Sequence, residues 1–297
     1  MKISCAWIYA ISKYGYPPSI EDTYKALREM ADLGFKYVEL EGVREGNLME
    51  VFKNKEKLKT LCNNLGIKIS TFYAILPDMV SLEEAKRKKA LELFDIGVET
   101  ANYFGCRIIQ ADSYAPPLEF VGKVPYEETM SYGEQYRVKV DPDFKWEELW
   151  KILIDSTIKC NQKAKEVGLK FSMEPRVGEI VSNTDALLRL MDAVGDENFG
   201  ALLDTAHLHA QKEILPLSIE KLSSRIYYVH VSDNNGRVNE HLGLGKGTID
   251  WRGVFVALKK HRFNGCVAVD VGEVDNIEEE CKESKKFLEN IARELNI

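Results

Sequence analysis

VGLKFSMEPR (167–176) reads as one structural sentence: a glycine, a short apolar run carrying few charges, then an acid. LGFKYVELEG (33–42), LGIKISTFYA (65–74), FGCRIIQADS (104–113) and NGCVAVDVGE (264–273) share the layout. Gly34, Gly66, Gly105, Gly168 and Gly265 fit helix C-caps, where the backbone turns left-handed. The runs that follow suit buried parallel strands in length and composition. ISCAW (3–7), FGALLD (199–204) and RIYYVHVS (225–232) bring the set to eight.

The segments between read as helices. Over 276–295 the apolar positions Ile277, Cys281, Ser284, Leu288, Ile291 and Leu295 advance in steps of three and four, and over 83–103 Leu91, Phe94, Val98 and Ala101 do the same. Such one-sided stripes lie on a sheet. Ser81 with Glu84 forms a capping box, and Asp250 and Asp275 are N-cap residues. Strand and helix alternating eight times predict an α/β fold, a single (β/α)8 TIM barrel over 1–297. A doubly wound open sheet is the competing architecture, weakened because no GxGxxG follows any strand. The glycines Gly34, Gly66 and Gly105 are evenly spaced, but Gly105 to Gly168 is too long for one unit. The excess at 112–142, rich in Pro, Tyr and Glu, is expected to be a lid inserted after the fourth strand.

Composition narrows the partners. Lys+Arg number 40 against 47 Asp+Glu in 297 residues, a net charge of −7 that disfavours nucleic acid and anionic membranes. The longest uncharged run, Ile3 to Ser12, is half a membrane span. No small-residue cleavage site follows it, and Pro17-Pro18 comes next, so it is read as fold rather than signal. Six scattered cysteines without a CxxC pair suggest buried thiols in a reducing cytoplasm.

Chemistry gathers where barrel strands end. Strands five to eight close on Glu174, Asp204, His230 and Asp270. Three carboxylates meeting at one mouth repel each other unless a cation lies between them. Oxygen ligands with one imidazole suit a divalent ion such as manganese, magnesium, cobalt or zinc. Such an ion, chelated by a ketone oxygen and its neighbouring hydroxyl, acidifies the C–H between them. A carboxylate on one face then removes the proton, and a second, on the other face, returns it. Glu174 and Asp270 are the candidate pair, with Glu273 as a substitute for the latter.

MEP (173–175), LDTAH (203–207), HVSDN (230–234) and HLGLGKGTIDW (241–251) resemble the xylose-isomerase-like sugar isomerase/epimerase superfamily, which includes ketose 3-epimerases, hydroxypyruvate isomerases, inosose dehydratases and endonuclease IV. The resemblance implies that Glu174, Asp204, His230 and the strand-eight acid bind metal, and that His207 and Arg237 hold substrate oxygens. It also implies a small sugar substrate, phosphorylated or not, and allows a homo-oligomer. Its epimerases place Glu where this chain has Asp270, which leaves either acid/base chemistry, a dehydratase using the same site, or a non-catalytic carbohydrate-binding subunit. The endonuclease reading is disfavoured by only five histidines and the acidic balance.

Weaker candidates for substrate contact are Glu41, Trp7, Arg176 and His241, with Tyr9, Phe72 and Tyr73 as either sugar wall or core. His209 reads as a hydrogen-bonded buried histidine, His261 as a helix-end residue, and Gly243–Gly247 as a tight turn before phosphate binding is considered.

Overall fold

The computed structural model describes residues 1–122, 126 and 136–297. Eight parallel strands close into a barrel in chain order: β1 (Lys2–Cys5), β2 (Tyr37–Val43), β3 (Lys68–Ile75), β4 (Ile108–Asp112), β7 (Lys170–Glu174), β8 (Phe199–Asp204), β9 (Ile226–Val231) and β10 (Cys266–Val269), with β10 returning to β1. The open doubly wound alternative is therefore excluded. Between β4 and β7 two short strands, β5 (Glu119–Phe120) and β6 (Val138–Lys139), pair antiparallel as a separate ribbon. The lid expected at 112–142 lies partly outside the described residues.

The helices around the barrel are α1 (Ile8–Tyr14), α2 (Ile20–Asp32), α3 (Arg44–Lys53), α4 (Lys55–Leu65), α5 (Glu84–Phe104), α6 (Trp146–Glu166), α7 (Thr184–Val194), α8 (Thr205–Ala210), α9 (Leu215–Leu222), α10 (Trp251–Lys260) and α11 (Ile277–Leu295). The whole predicted stripe of α11 is buried. In α5, Phe94, Val98 and Ala101 are buried and Leu91 is partly so. The uncharged run 3–12 forms β1 and α1 in the core.

Several local expectations change. Gly34, Gly66, Gly105 and Gly168 have positive φ, but at Gly265 the left-handed position has moved back to Arg262. Asp250 caps α10 by accepting from Gly253 N–H, whereas Asn276, not Asp275, precedes α11. Ser81 Oγ accepts from Glu83 N–H, so the capping box with Glu84 does not form, because α5 starts two residues later than that box requires. Strand one ends at Cys5, and Trp7 opens α1. Asp270 follows β10 by one residue.

The glycine-rich turn 243–247 is built around a buried carboxylate. Asp233 accepts from Gly245 N–H, Ile249 N–H and Trp251 Nε1–H at 2.9–3.2 Å. A Cβ on Gly247 would lie 2.2 Å from Asp233 Oδ1, so only glycine lets the backbone approach. Lys246 pairs with Glu280 and Glu283 across on α11. The turn is thus a packing device, and its lysine already faces carboxylates.

Candidate metal centre

In a strand, alternate side chains share a face. That period sends Glu39 and Glu41 of β2 inward, with Tyr73, Asp112, Glu174 and His230 from their neighbours. The ends of β7 and β8, together with Asp270 just past β10, add their acids at the C-terminal mouth. All four residues expected at strand ends meet there. His230 Nδ1 lies 3.3 Å from Glu174 Oε1, 3.7 Å from Asp270 Oδ2 and 3.8 Å from Asp204 Oδ2. Ligands that each stand about 2.0–2.2 Å from one ion are necessarily roughly 3–4 Å from each other. Ligand atoms of Asp204, His230 and Asp270, and likewise of Glu174, Asp204 and His207, fall within 4.8 Å of one another.

Asp204 shows how the fold divides one side chain between two tasks. Its Oδ1 caps α8 by accepting from His207 N–H at 2.6 Å. Its Oδ2 is buried without a hydrogen-bond partner. A buried carboxylate oxygen left this way is costly unless a cation meets it. Burial, with the charges of Glu174 and Asp270, pushes the Asp204 carboxyl well above its usual range. Burial works against the proton on His230, but the charges of Glu39 and Asp270 and the hydrogen bond to Glu174 outweigh it and raise the imidazole well above normal. Glu174 shows the complementary effect. Burial opposes its charge, yet the hydrogen bond from His230 and the charges of His230 and Arg176 bring it down to about 2. The upward shifts of Asp204 and His230 both show that the centre of the cluster favours added positive charge, which one divalent ion would supply. The donor set fits such an ion.

Each of these groups is held from behind. His230 Nε2 faces Glu39 Oε1 at 2.9 Å, and Glu39 Oε2 accepts from Trp7 N–H at 3.1 Å. A carboxylate behind a ligating imidazole fixes ring orientation and tautomer. Tyr73 Oη–H donates to Glu174 Oε2 at 3.2 Å. His241 Nε2 lies 3.2 Å from Asp270 Oδ2. His207 Nδ1 accepts from Val177 N–H at 3.2 Å, so the neutral ring carries its proton on Nε2. Burial holds His207 well below the usual histidine value.

Beside the cluster, Arg176 Nη1 pairs with Asp112 Oδ2 at 2.5 Å and stands 3.7 Å from Glu179 Oε1, while its Nε stands 3.8 Å from Glu174 Oε2. Burial raises the Asp112 carboxyl to about 6 despite Arg176. Glu179 in turn accepts from Ser113 and Tyr114 backbone N–H at 2.9–3.0 Å. Tyr126 covers this network: its ring stacks 4.0 Å from the Arg176 guanidinium, and its hydroxyl donates to Val177 O.

Of the sequence candidates, Trp7, Glu41, Glu174, Arg176, His207, His230, His241 and Asp270 line one cavity, with Tyr73. Asp204 lies beneath it, fully buried. Arg237 does not join them: it is exposed, on a loop whose Asn235 side chain accepts from its backbone N–H. Glu273 is also exposed, with a left-handed backbone that turns it off the strand line. Tyr9 and Phe72 are fully buried core. His209 bonds Asn234, and His261 meets Ser223 and Glu220. Glu39, Asp112 and Glu179 were not singled out from sequence. Glu39 stands two residues before Glu41, and the strand period was the signal that would have found it.

The chain belongs to the xylose isomerase-like TIM barrel family, whose profile matches residues 27–291. Among curated relatives, the inosose dehydratase of Clostridium beijerinckii is 28% identical over 141 residues, covering 42% of this chain and 47% of that protein. The chain thus matches about half the length of the first of these relatives. The inosose dehydratase of Glaesserella parasuis serovar 5 is 23% identical over 299 residues, covering 92% of this chain and 91% of that one. Solved structures of the same fold include a D-tagatose 3-epimerase-like protein (TM-score 0.74, 19% identity, 100% and 98% of the two chains). An IOLI protein with a bound zinc atom is similar to the same degree (TM-score 0.73, 19% identity, 99% of each chain). Among the described residues, no helix is long and apolar enough to cross a membrane.

Proposed function

We propose that this chain is a divalent-metal-dependent isomerase or epimerase acting on a ketose or closely related cyclic ketone. The observation that carries the reading is His230 Nδ1 ringed by three carboxylates within 3.8 Å, one of which has an oxygen with no hydrogen-bond partner. Glu174, Asp204, His230 and Asp270 would hold the ion. When bound, it polarises a ketone oxygen and stabilises the negative charge left by removal of a neighbouring proton.

The chain's own groups then divide the work. Glu174, held low in pKa by His230 and Arg176 and oriented by Tyr73, takes a proton from the carbon beside the carbonyl. Asp270, steadied by His241, faces the same His230 nitrogen as Glu174 from the end of a different strand and is the second carboxylate, the one that returns a proton to the opposite face of the substrate. Return to the same carbon is epimerisation, and return to its neighbour is isomerisation. His207 Nε2–H is a neutral donor for a substrate hydroxyl. Trp7 and Tyr73 supply apolar wall. Among the described lining residues Arg176 is the one Arg or Lys, and three carboxylates already surround it. A neutral sugar fits that mouth better than a sugar phosphate. The six free cysteines suit a reducing cytosol as its place of action.

The test is a panel of ketoses and inososes in deuterated water with manganese, followed by NMR. Solvent deuterium should enter one C–H beside the carbonyl, and Glu174→Gln should slow exchange by about 10² to 10⁴-fold while the fold stays intact. Exchange at the wild-type rate in that variant refutes the assignment. A second reading, dehydration, is favoured by the His241–Asp270 pair, because an imidazole beside the second carboxylate at the cavity wall is a candidate donor to a leaving hydroxyl. It draws support from the relatives named inosose dehydratase. A product lighter by one water, rather than an isomer of equal mass, selects it.

A further inference from the structure

The repeated layout that defines the strands has a second regularity. Two residues after the helix-ending glycine stands a cation: Lys68 after Gly66, Arg107 after Gly105 and Lys170 after Gly168. These three positions begin or immediately precede β3, β4 and β7, which are neighbours in the barrel. Lys2 begins β1 in the same way. All four therefore ring the N-terminal mouth, the end away from the metal centre. Lys59 of α4 and Arg262 after α10 complete the set around a basin of about 870 Å³.

Three observations distinguish this basin from an ordinary solvated rim. No Asp or Glu lines it. Among the described residues none of its six cations takes part in an ion pair, although many other lysines of the chain, such as Lys13, Lys55, Lys163 and Lys246, are paired with carboxylates. It is also concave and mixed in chemistry. Tyr37 and Tyr227 stand on its wall, with Lys2 and Lys170 over their rings at 5.2 and 5.0 Å. Its floor carries the Ser70 and Tyr228 hydroxyls, bonded to each other at 2.8 Å. Pockets of roughly 300–1,000 Å³ hold small molecules. Lys59 and Lys170 donate to the Tyr103 and Glu197 carbonyls, but like charges without a carboxylate ion pair, gathered in a cleft, still concentrate ligands of opposite sign, in a chain whose net charge is −7.

We propose that the N-terminal mouth of the barrel binds a compact oligophosphate, its phosphate chain across Lys68, Arg107 and Lys170 and its remaining charge met by Lys2, Lys59 and Arg262. Extended polyanions are disfavoured because the cations surround a pit rather than form a stripe. Helix C-termini also favour cations at this end, but that role needs neither a concave surface nor a lining free of carboxylates.

Calorimetric titration of the full chain in chelator at low salt tests this, with sodium tripolyphosphate and ATP as separate probes. Both should bind at one site, with affinity falling as salt rises. Equal affinity assigns recognition to the phosphate chain alone, and tighter ATP assigns it to a nucleotide that also uses Tyr37 or Tyr227. The double variant K68E/R107E should weaken binding by at least about 10-fold, and K68Q/R107Q less but in the same direction. D204N, at the opposite mouth, should bind the probes like wild type, so the result is independent of the proposed sugar chemistry. Absence of binding at low salt, unchanged affinity in K68E/R107E, weakened binding in D204N, or preference for single-stranded or duplex nucleic acid would each overturn the proposal.

Discussion

At the C-terminal mouth of the barrel Glu39, Glu174, Asp204 and Asp270 are buried against one another. At the N-terminal mouth Lys2, Lys68, Arg107 and Lys170 are exposed. Both signs follow from the same topology. Helices run back against the strands, so their N-termini, which favour anions, surround the first mouth, and their C-termini, which favour cations, surround the second. Burial separates the two. Solvated lysines cost little to assemble, whereas carboxylates taken out of water must be neutralised by a proton, an arginine or a metal. At the C-terminal mouth the proton affinities of Asp204 and His230 are raised, and the Arg176 guanidinium stands beside Asp112 and Glu179. This teaches that sign comes from the fold, whereas burial marks where chemistry is concentrated.

The comparison breaks most sharply at Asp204. In Asp204→Asn the amide oxygen can still cap α8, so the fold should persist, while manganese affinity should fall by more than about 100-fold in equilibrium dialysis. Retained affinity would mean that the carboxylates gather for structural reasons alone. Glu39→Gln probes the layer behind. It leaves the four proposed ligands in place but loosens His230, and an affinity loss of about 10–100-fold is expected.

Acidity sharpens the contrast further. The proton on Asp204 is held above the usual carboxylate range, and that on His230 above the ordinary histidine value of 6.5. The folded chain thus binds protons that the unfolded chain has released, and metal-free stability is lost as pH rises through those folded values. Glu174 acts oppositely, but its contribution is present above its ordinary 4.5 and disappears only as pH falls toward about 2, outside that window. In chelator, thermal unfolding should therefore move to lower temperature as pH rises past neutral. Manganese should reverse the loss, with protons released as the ion binds. A Tm gap between metal and chelator that shrinks with rising pH would contradict this. The smallest effect belongs to the other mouth: Lys68→Gln should shift Tm by no more than about 2 °C in calorimetry.

Residues at the ends of apolar runs were legible in the sequence because a barrel delivers every strand end to one mouth. Glu174, Asp204, His230 and Asp270 each sit at or beside such an end. Glu39 was less legible because it lies inside a run, where an acid is read as an interruption. Asp112 and Glu179 acquire their place through Arg176, a contact that spans 64 residues in one direction. Arg237 was assigned by resemblance, and loop geometry after β9 turned it to solvent.

The sequence by itself determined the barrel, its strand order and the acidic character of one mouth, since these follow from periodicity and from the direction in which strands and helices alternate. Tertiary structure alone decided which oxygen of Asp204 caps a helix and which is left bare, that Glu39 backs His230, and that Arg176 is already occupied. Those outcomes depend on distances of a few ångströms between residues far apart in the chain, which local pattern does not encode.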